Sequence, residues 1–293
     1  MIYMTQCETS YTETPTLIDD IPYPQHAHII PETFKNAKRG MAYPPHKLID
    51  RVVTEDMRLY VENNPIEGKT GFIFAAGNQG WMGNNGRYDK NPDTQLHYKV
   101  KLPFIVLSNI YAGRVASMFG VHDHVSTDAS ACASSLKVLM DVQNLINNFG
   151  FDRVIVLGAE DGVNNLILEF FGESGASLQY KDEDKRQPSA FDEINGGFFI
   201  GQGAVLSIFE RERPNMTDPI ARFLGAYSSA EDNSNPLGQR DDGSGFSKAI
   251  EGALFVAKTN KNSVNLVKTH GSGTPVNNVA EKSALTSYLN DFI

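Results

Sequence analysis

A short, uninterrupted apolar run near the middle of the chain, residues 154–159 (VIVLGA), most strongly limits the possible folds. Strands without polar alternation are typical of a sheet that helices cover on both faces. Similar strand-like runs alternate along the chain with segments of helical periodicity. The predicted strands are 68–76, 121–127, 154–159, 201–209, 220–227 and 264–268, and the predicted helices are 49–63, 103–119, 136–146, 246–257 and 279–288. This alternation predicts a layered α/β fold with a mostly parallel or mixed sheet.

Residues 1–50 have a different character. They contain many Pro, Thr, His and Asp residues and show little apolar periodicity. We therefore expect an N-terminal arm or a wrapping loop, not a domain of its own. Three later stretches are polar and rich in turn-forming residues, and we expect loops or a broken helix at 77–98, 173–195 and 228–245.

The charge balance argues against one class of partner. The formal net charge of the 293 residues is -9 at pH 7, whereas nonspecific nucleic-acid binding needs many Lys and Arg residues to neutralise phosphates. No run approaches the roughly 18 apolar residues of a membrane span, and the polar start lacks the layout of a secretory signal. We expect a cytoplasmic protein. Its two cysteines, Cys7 in the arm and Cys132 in an apolar region, are expected to stay reduced.

Cys132 is the first candidate for chemistry. It follows a predicted strand and precedes a long apolar helix, and its neighbours Ala131, Ala133, Ser134 and Ser135 are all small. The N-terminus of a helix carries partial positive charge and free N–H groups, which favour a thiolate over a thiol. Small neighbours allow a substrate carbonyl to approach the backbone. The local sequence also allows a buried cysteine that packs as a small hydrophobic residue.

His270 is the second candidate. It follows the predicted strand 264–268 and precedes Gly-Ser-Gly-Thr-Pro. The glycines permit close approach of a ligand, and a His at a strand end can polarise a carbonyl or stabilise an enolate. A hydrogen-bonded structural His in a turn fits the same residues, and a phosphate-binding loop without a Lys is a weaker interpretation. His122 and His124 lack partners at metal-ligand spacing, so we predict surface residues there and no metal site.

Four segments, in order along the chain, resemble the β-ketoacyl synthases of the thiolase superfamily. STDASACASSL, which contains Cys132, is similar to the nucleophile segment T-A-C-A/S-S of that family. VKTHGSGTPVNNVAE, which contains His270, is similar to N-A-H-G-T-G-T-P-x-x-D-x-x-E. QPSAFDEINGGFFIGQGAVLSIFE resembles the segment with F-D and G-E-G-A, and LPFIVLSNIYAGRVASMFG resembles the helix and turn before the nucleophile strand.

The resemblance implies a role for each matching residue. Cys132 would accept an acyl chain as a thioester from an acyl carrier protein or coenzyme A, and its N–H would form half of an oxyanion hole. His270 would be the first of two active-site histidines that promote decarboxylation of a malonyl extender. Ser272 and Thr274 would hydrogen-bond the phosphopantetheine arm. The implied reaction is a decarboxylative Claisen condensation, and phosphopantetheine arrives on the carrier protein, so no cofactor of the enzyme's own is expected. The implied assembly is a homodimer, or a heterodimer with another ketosynthase-like chain.

The resemblance also implies the fold, a thiolase-like layered αβαβα arrangement of two related halves. Residues 51–215 would be the N-terminal half with the nucleophile, and residues 216–293 the start of the C-terminal half. The family's second catalytic His and its late Gly-Phe-Gly-Gly-type loop have no counterpart before residue 293. We expect the missing part to come from further residues or from a partner chain, and a reduced synthase that is completed in a different way is a third, less favoured explanation. Five positions depart from the motifs: Asn195 and Gly196 (usually Arg and Asp), Gln202 (usually Glu), Ser272 (usually Thr) and Asn278 (usually Asp).

Two alternatives remain open within the same superfamily. A chain-length-factor-like subunit would pair with a true synthase without catalysing condensation, although such subunits usually replace the nucleophile that Cys132 retains. Another acyltransferase of the superfamily would condense or transfer without malonyl decarboxylation, although the HGSGTP segment disfavours it.

Overall fold

A computed structural model describes residues 1–11, 16–18, 25–28, 45–77, 108–163, 165–178, 188–192, 196–216, 218–231 and 238–289. Apart from Gly77, the predicted loop 77–98 lies outside the described residues, as do residues 103–107 of the predicted helix 103–119. The chain divides into two compact units. The first unit comprises residues 1–16, 28–167 and 201–224, and the second comprises residues 17–27, 168–200 and 225–293.

The first unit is built on a mixed sheet. The strands of the protein are β1 (Ile2–Tyr11), β2 (Thr16–Ile18), β3 (Gln25–His28), β4 (Lys69–Ala75), β5 (His124–Asp128), β6 (Phe151–Asp161), β7 (Ile200–Arg211) and β8 (Ala221–Phe223). Six of them are paired in the order β8-β1-β7-β6-β4-β5. β4 runs parallel to β5 and β6, whereas β1 and β6 are both antiparallel to β7. The predicted strands between residues 68 and 227 are thus confirmed, with shifted ends.

Strand β1 corrects our expectation of an N-terminal arm over residues 1–50. It pairs with β7 from Ile2 to Tyr11. A β-bulge between Met4 and Gln6 shifts the alternation of its side chains, so residues that face the core do not recur at every second position. The sequence therefore lacks the period of two by which a strand is identified.

Helices cover both faces of this sheet. The helices of the first unit are α1 (Pro45–Asp50), α2 (Glu55–Asn63), α3 (Ser108–Met118) and α4 (Ser134–Asn148). One cluster of buried side chains, including Phe72 and Leu157, joins α1, α2 and α3 to one face, and a second, including Ile73 and Val156, joins α4 to the other. β4 and β6 are therefore buried on both faces, as their apolar runs predicted. None of the helices in the described part of the chain combines the length and the apolarity that crossing a membrane requires.

The predicted helix over 49–63 is interrupted. Thr54 begins α2 as its N-cap, and its hydroxyl accepts the N–H of Met57 at 3.3 Å. Val52 and Val53, in the connection between α1 and α2, are 0% and 5% exposed. The apolar positions that suggested a continuous helix are thus buried in a short linker.

The remaining helices are α5 (Asn165–Glu173), α6 (Ser244–Val256) and α7 (Pro275–Tyr288), of which α5 was not predicted. α7 begins earlier than expected because Pro275 occupies its first position and Thr274 its N-cap. The predicted strand 264–268 is wrong, since these residues have no regular secondary structure and Leu266 is 86% exposed. A strand needs a hydrogen-bonded neighbour, and within the described ranges no segment pairs with this one.

Candidate functional site

The carboxyl ends of three parallel strands, β4, β5 and β6, lie side by side at one end of the first unit's sheet. Ligands of α/β proteins commonly bind outside the carboxyl ends of parallel strands. In this protein Gly77, Asp128 and Glu160 lie at these strand ends. The N–H of Gly77 donates to the Glu160 carboxylate at 2.7 Å, and the N–H of Ala76 donates to the carbonyl oxygen of Asp128 at 3.1 Å. These two contacts tie the three strand ends together.

Cys132 lies in the turn that follows β5. Residues Ala131–Ala133 form one turn of 3₁₀ helix that leads directly into α4. The expected placement of Cys132 ahead of a long helix is therefore confirmed. Its side chain is a free thiol and is exposed. The alternative of a buried structural cysteine is wrong, and so is our expectation that Cys132 lies in an apolar region, because the whole turn projects to the surface.

The backbone of this turn is held in an unusual conformation at Ala131. Its φ is 48°, in the left-handed region, which costs a residue with a side chain roughly 1–2 kcal/mol. The Ser134 hydroxyl donates to the carbonyl oxygen of Ala131 at 2.7 Å. Gly77 packs against the same carbonyl, since a Cβ on this glycine would lie 3.4 Å from the Ala131 oxygen. Contacts from the helix and from the neighbouring strand end therefore fix the backbone that presents Cys132.

An ion pair spans the turn that carries Cys132. Lys137 Nζ on α4 lies 2.6 Å from Asp128 Oδ2 at the end of β5, and Asp128 Oδ1 accepts the N–H of Ser130 at 2.9 Å. Burial alone would raise the pKa of the Asp128 carboxyl, but the hydrogen bonds from Lys137 and Ser130 outweigh burial and lower the pKa below its ordinary value. The hydrogen bond to Asp128 raises the pKa of Lys137. Sequence reasoning missed this pair; the available signal was two opposite charges on either side of a run of small residues.

His270 lies in the second unit, on the loop that precedes α7. Its side chain is exposed, and its backbone N–H donates to Glu281 Oε1 at 2.6 Å. The N–H of Gly271 donates to Glu281 Oε2 at 2.8 Å, and Asn277 Nδ2 donates to the same oxygen at 3.0 Å. Glu281 is 5% exposed, so its charge is compensated by these donors and not by water. The sequence motif contains this Glu, but its spacing alone does not reveal that it binds the backbone at His270.

Ser272 and Thr274 lie on the same loop. Their hydroxyl oxygens are 3.0 Å apart, and the N–H of Thr274 is 3.4 Å from Ser272 Oγ. A hydroxyl has one donor and two acceptor positions, so this pairing leaves both residues able to bind a ligand. The structure therefore brings His270, Ser272 and Thr274 onto one loop of the second unit, and it places Cys132 in the first unit.

Two family models match this sequence. The model described as "Beta-ketoacyl synthase, N-terminal domain" matches residues 52–215, and "Beta-ketoacyl synthase, C-terminal domain" matches residues 220–291. The 3-oxoacyl-(acyl-carrier-protein) synthase 2 of Vibrio cholerae is 27% identical over 195 residues, which cover 64% of this chain and 47% of the relative. The oxytetracycline polyketide putative beta-ketoacyl synthase 1 of Streptomyces rimosus is 28% identical over 165 residues, which cover 55% of this chain and 38% of the relative. The chain spans about half the length of the curated relatives it matches.

Solved structures share the fold. A type II polyketide synthase acyl-carrier protein in complex with its ketosynthase bound to the hexaketide aligns with a TM-score of 0.79 at 18% identity, over 99% of this chain and 78% of that chain. A ketosynthase in complex with its chain length factor from Xenorhabdus doucetiae aligns with a TM-score of 0.72 at 15% identity, over 99% of this chain and 76% of that chain. At such identities the likeness concerns the fold alone, and it confirms the expected thiolase-like α/β architecture.

Proposed function

Because this chain belongs to the β-ketoacyl synthase family, we propose that it condenses an acyl chain with a malonyl-thioester extender, with Cys132 as the acyl-accepting nucleophile. The observation that carries the proposal is the exposed Cys132 thiol on a turn whose backbone is fixed beside the carboxyl ends of three parallel strands. A nucleophilic cysteine needs access to its substrate and a fixed position. Both conditions are met at Cys132.

In the first proposed step, Cys132 takes an acyl group from the thioester of an acyl carrier protein or coenzyme A. Its Sγ bonds to the carbonyl carbon, and the bond between that carbon and the phosphopantetheine sulfur breaks. The proton of the Cys132 thiol ends on the departing sulfur, so the step needs no oxidant or reductant. The backbone N–H of Cys132 would stabilise the negative charge that develops on the carbonyl oxygen.

In the second proposed step, His270 assists the extender. The malonyl thioester loses its carboxylate as CO₂, and the electron pair of the broken carbon–carbon bond stays behind as an enolate. The His270 ring would hydrogen-bond the enolate oxygen, while Ser272 and Thr274 would hold the phosphopantetheine arm through their hydroxyls. The enolate carbon attacks the carbonyl of the Cys132 thioester, a carbon–carbon bond forms, and the cysteine sulfur leaves as a thiolate that takes up a proton.

The proposed partners are an acyl carrier protein and a second ketosynthase-like chain, as a homodimer or a heterodimer. An acyl-carrier protein and a chain length factor accompany the ketosynthases of the two solved structures above. In the part of the chain that the structure describes, β5 pairs with β4 only. Val125 on β5 and Leu136 on α4 are 41% and 71% exposed. A strand edge beside exposed apolar side chains supports pairing with another chain.

The test is acyl transfer to the protein, followed by intact mass spectrometry. After incubation with an acyl-carrier-protein thioester, the wild type should gain the mass of an acyl group and Cys132→Ala should not. Cys7→Ser is the matched control, because Cys7 lies partly buried on β1, where the Ser207 hydroxyl donates to its sulfur at 3.6 Å. It should be acylated like the wild type. An undiminished adduct on Cys132→Ala, or no adduct on the wild type, contradicts the proposal.

The fold shared with a ketosynthase–chain length factor complex supports a second candidate, a non-catalytic partner subunit. Native mass spectrometry of the purified natural complex discriminates between the two. A heterodimer in which only the other chain becomes acylated favours the partner role, whereas an acyl adduct on Cys132 favours the enzyme.

A further inference from the structure

The side-chain amide of Asn278 joins two segments of the second unit that are far apart in the sequence. Asn278 lies in the first turn of α7. Its Oδ1 accepts the N–H of Phe191 at 3.1 Å, and its Nδ2 donates to the carbonyl oxygens of Asp192 at 3.4 Å and Gly273 at 3.3 Å. One planar amide therefore holds the turn at Phe191 against the loop that carries His270.

Among residues of this size, a carboxamide fits this set of bonds. It has an acceptor oxygen and a donor nitrogen on one carbon, whereas a carboxylate only accepts. The motif that this segment resembles has Asp at the position, so Asn278 is a departure of this chain. With Asp in its place, the carbonyl oxygens of Asp192 and Gly273 would face a carboxylate oxygen and would be repelled.

The backbone on both sides of Asn278 adopts conformations that need support. Phe191 has a φ of 63°, which is rare and costly for a bulky side chain. Gly273 has a φ of 74°, and its carbonyl oxygen also accepts the N–H of Gly197 at 3.0 Å. A Cβ on Gly273 would lie 2.7 Å from the carbonyl oxygen of Gly197. The two segments thus meet backbone to backbone, and Asn278 completes the contact.

We propose that Asn278 is a positioning residue that locks the Phe191 turn to the loop of residues 270–274. Asn278 donates to the carbonyl oxygen of Gly273, which lies between Ser272 and Thr274. This contact therefore determines the positions of the Ser272 and Thr274 hydroxyls. Glu281 fixes the other end of the same loop through the N–H groups of its first two residues. The expected effect on turnover rests on the proposed function, in which these hydroxyls hold phosphopantetheine. The contact of Asn278 with the two segments does not depend on that function.

The test compares Asn278→Asp and Asn278→Leu with Asn260→Asp in the full chain. Asn260 is the matched control because its side-chain oxygen accepts the N–H of Asn262 at 3.0 Å, a role that a carboxylate also fills. Hydrogen exchange is measured by mass spectrometry on peptides covering residues 188–198 and 268–275, with peptides from α4 as an internal reference. Acylation of Cys132 and decarboxylation of a malonyl thioester are measured in parallel as separate half-reactions.

We expect both Asn278 variants to exchange at least about tenfold faster in the two peptides, with exchange in α4 unchanged. Asn278→Asp loses the two hydrogen bonds that Nδ2 donates, and Asn278→Leu loses all three bonds of the amide. Decarboxylation should fall about tenfold with a raised KM for the malonyl thioester, whereas acylation should stay within about twofold of the wild type. Asn260→Asp should match the wild type in every measurement.

Unchanged exchange in both Asn278 variants overturns the proposal. A parallel loss of both half-reactions, together with faster exchange in α4, also overturns it, because general destabilisation then explains the result. If the wild type neither becomes acylated nor decarboxylates malonyl thioesters, the proposed function fails, while the exchange measurement still decides whether Asn278 locks the two segments.

Discussion

Two buried carboxylates, Asp128 and Glu281, hold the backbone beside the proposed reactive groups. Asp128 accepts one backbone N–H and Glu281 accepts two, and each also binds a side-chain donor. Hydrogen bonds to an ionised acceptor are stronger than neutral ones and therefore define a loop conformation well. Asp128 acts on the turn of Cys132, and Glu281 acts on the loop of His270. At the scale of single residues, we expect the charge of each carboxylate to contribute to the free energy of unfolding.

Replacing Asp128 by Asn should lower the free energy of unfolding by on the order of 1–2 kcal/mol at neutral pH. The loss is not larger because Lys137 is 42% exposed, so water screens part of the attraction between the two charges. Since the folded-state pKa of Asp128 is lowered, its contribution is fully present above the unfolded-state pKa of about 4 and is lost as the pH falls through the folded-state pKa. Urea unfolding of wild type and variant should differ by a constant amount near neutral pH and converge in acid. Asp241→Asn, at an exposed position, is the control. A difference that grows on acidification would contradict this account.

Replacing Glu281 by Gln should lower the free energy of unfolding by about 1–3 kcal/mol. A glutamine turns an N–H group towards the donors of His270, Gly271 or Asn277, so at least one of them loses its acceptor. Urea unfolding measures the effect, and Glu251→Gln at an exposed position of α6 should change stability by less than about 0.5 kcal/mol. Equal stability of the two variants would show that the Glu281 charge does not fix the loop.

At the scale of elements, the local apolar pattern predicted β4, β6 and α4, because each buries its own apolar face against a neighbour of the same unit. It failed for β1 and for residues 264–268, where the outcome depends on something that the segment does not contain. A bulge conceals the alternation in β1, and residues 264–268 have strand-like composition without a paired neighbour in the described ranges.

The placement of Cys132 before a helix was predictable, but the bonds of Asp128, Glu281 and Asn278 to backbone groups were not, because they depend on loop conformations that only the fold defines.

The 3₁₀ turn between β5 and α4 offers a prediction at this scale. Ala131→Gly should leave the free energy of unfolding unchanged or raise it by about 0.5–1 kcal/mol, because glycine adopts a φ of 48° without steric cost. Ala133→Gly is the matched control on the same turn: its φ is -86°, so the substitution should destabilise by about 0.5–1 kcal/mol. Chemical denaturation of both variants checks the contrast. If Ala131→Gly is the more destabilising of the two, the left-handed conformation at Ala131 does not store strain.

At the scale of the first unit as a whole, a buried ionic cluster joins strands and a helix away from Cys132. Arg153 on β6 and Glu210 on β7 are 2% and 1% exposed and lie 2.6 Å apart. The Tyr60 hydroxyl of α2 donates to the same carboxylate at 2.7 Å, and Arg213 Nη2 lies 3.3 Å from it. Arg153 is near the amino end of β6, whereas the turn of Cys132 lies beside the carboxyl ends of the parallel strands. The buried ionic cluster and the turn of Cys132 therefore lie at opposite ends of the parallel strands.

This separation can be tested with Glu210→Gln, which should lower the free energy of unfolding by about 3–5 kcal/mol, because it leaves the buried Arg153 guanidinium without its counter-charge. Glu212→Gln is the matched control: Glu212 is 46% exposed and lies 3.6 Å from the N-terminal amine, so its loss should cost less than about 1 kcal/mol. Both free energies come from urea unfolding. Acylation of Cys132 should persist in the folded fraction of Glu210→Gln, because the cluster does not contact the turn. A folded Glu210→Gln protein that no longer accepts an acyl group would show instead that the ionic cluster and the turn of Cys132 are energetically coupled.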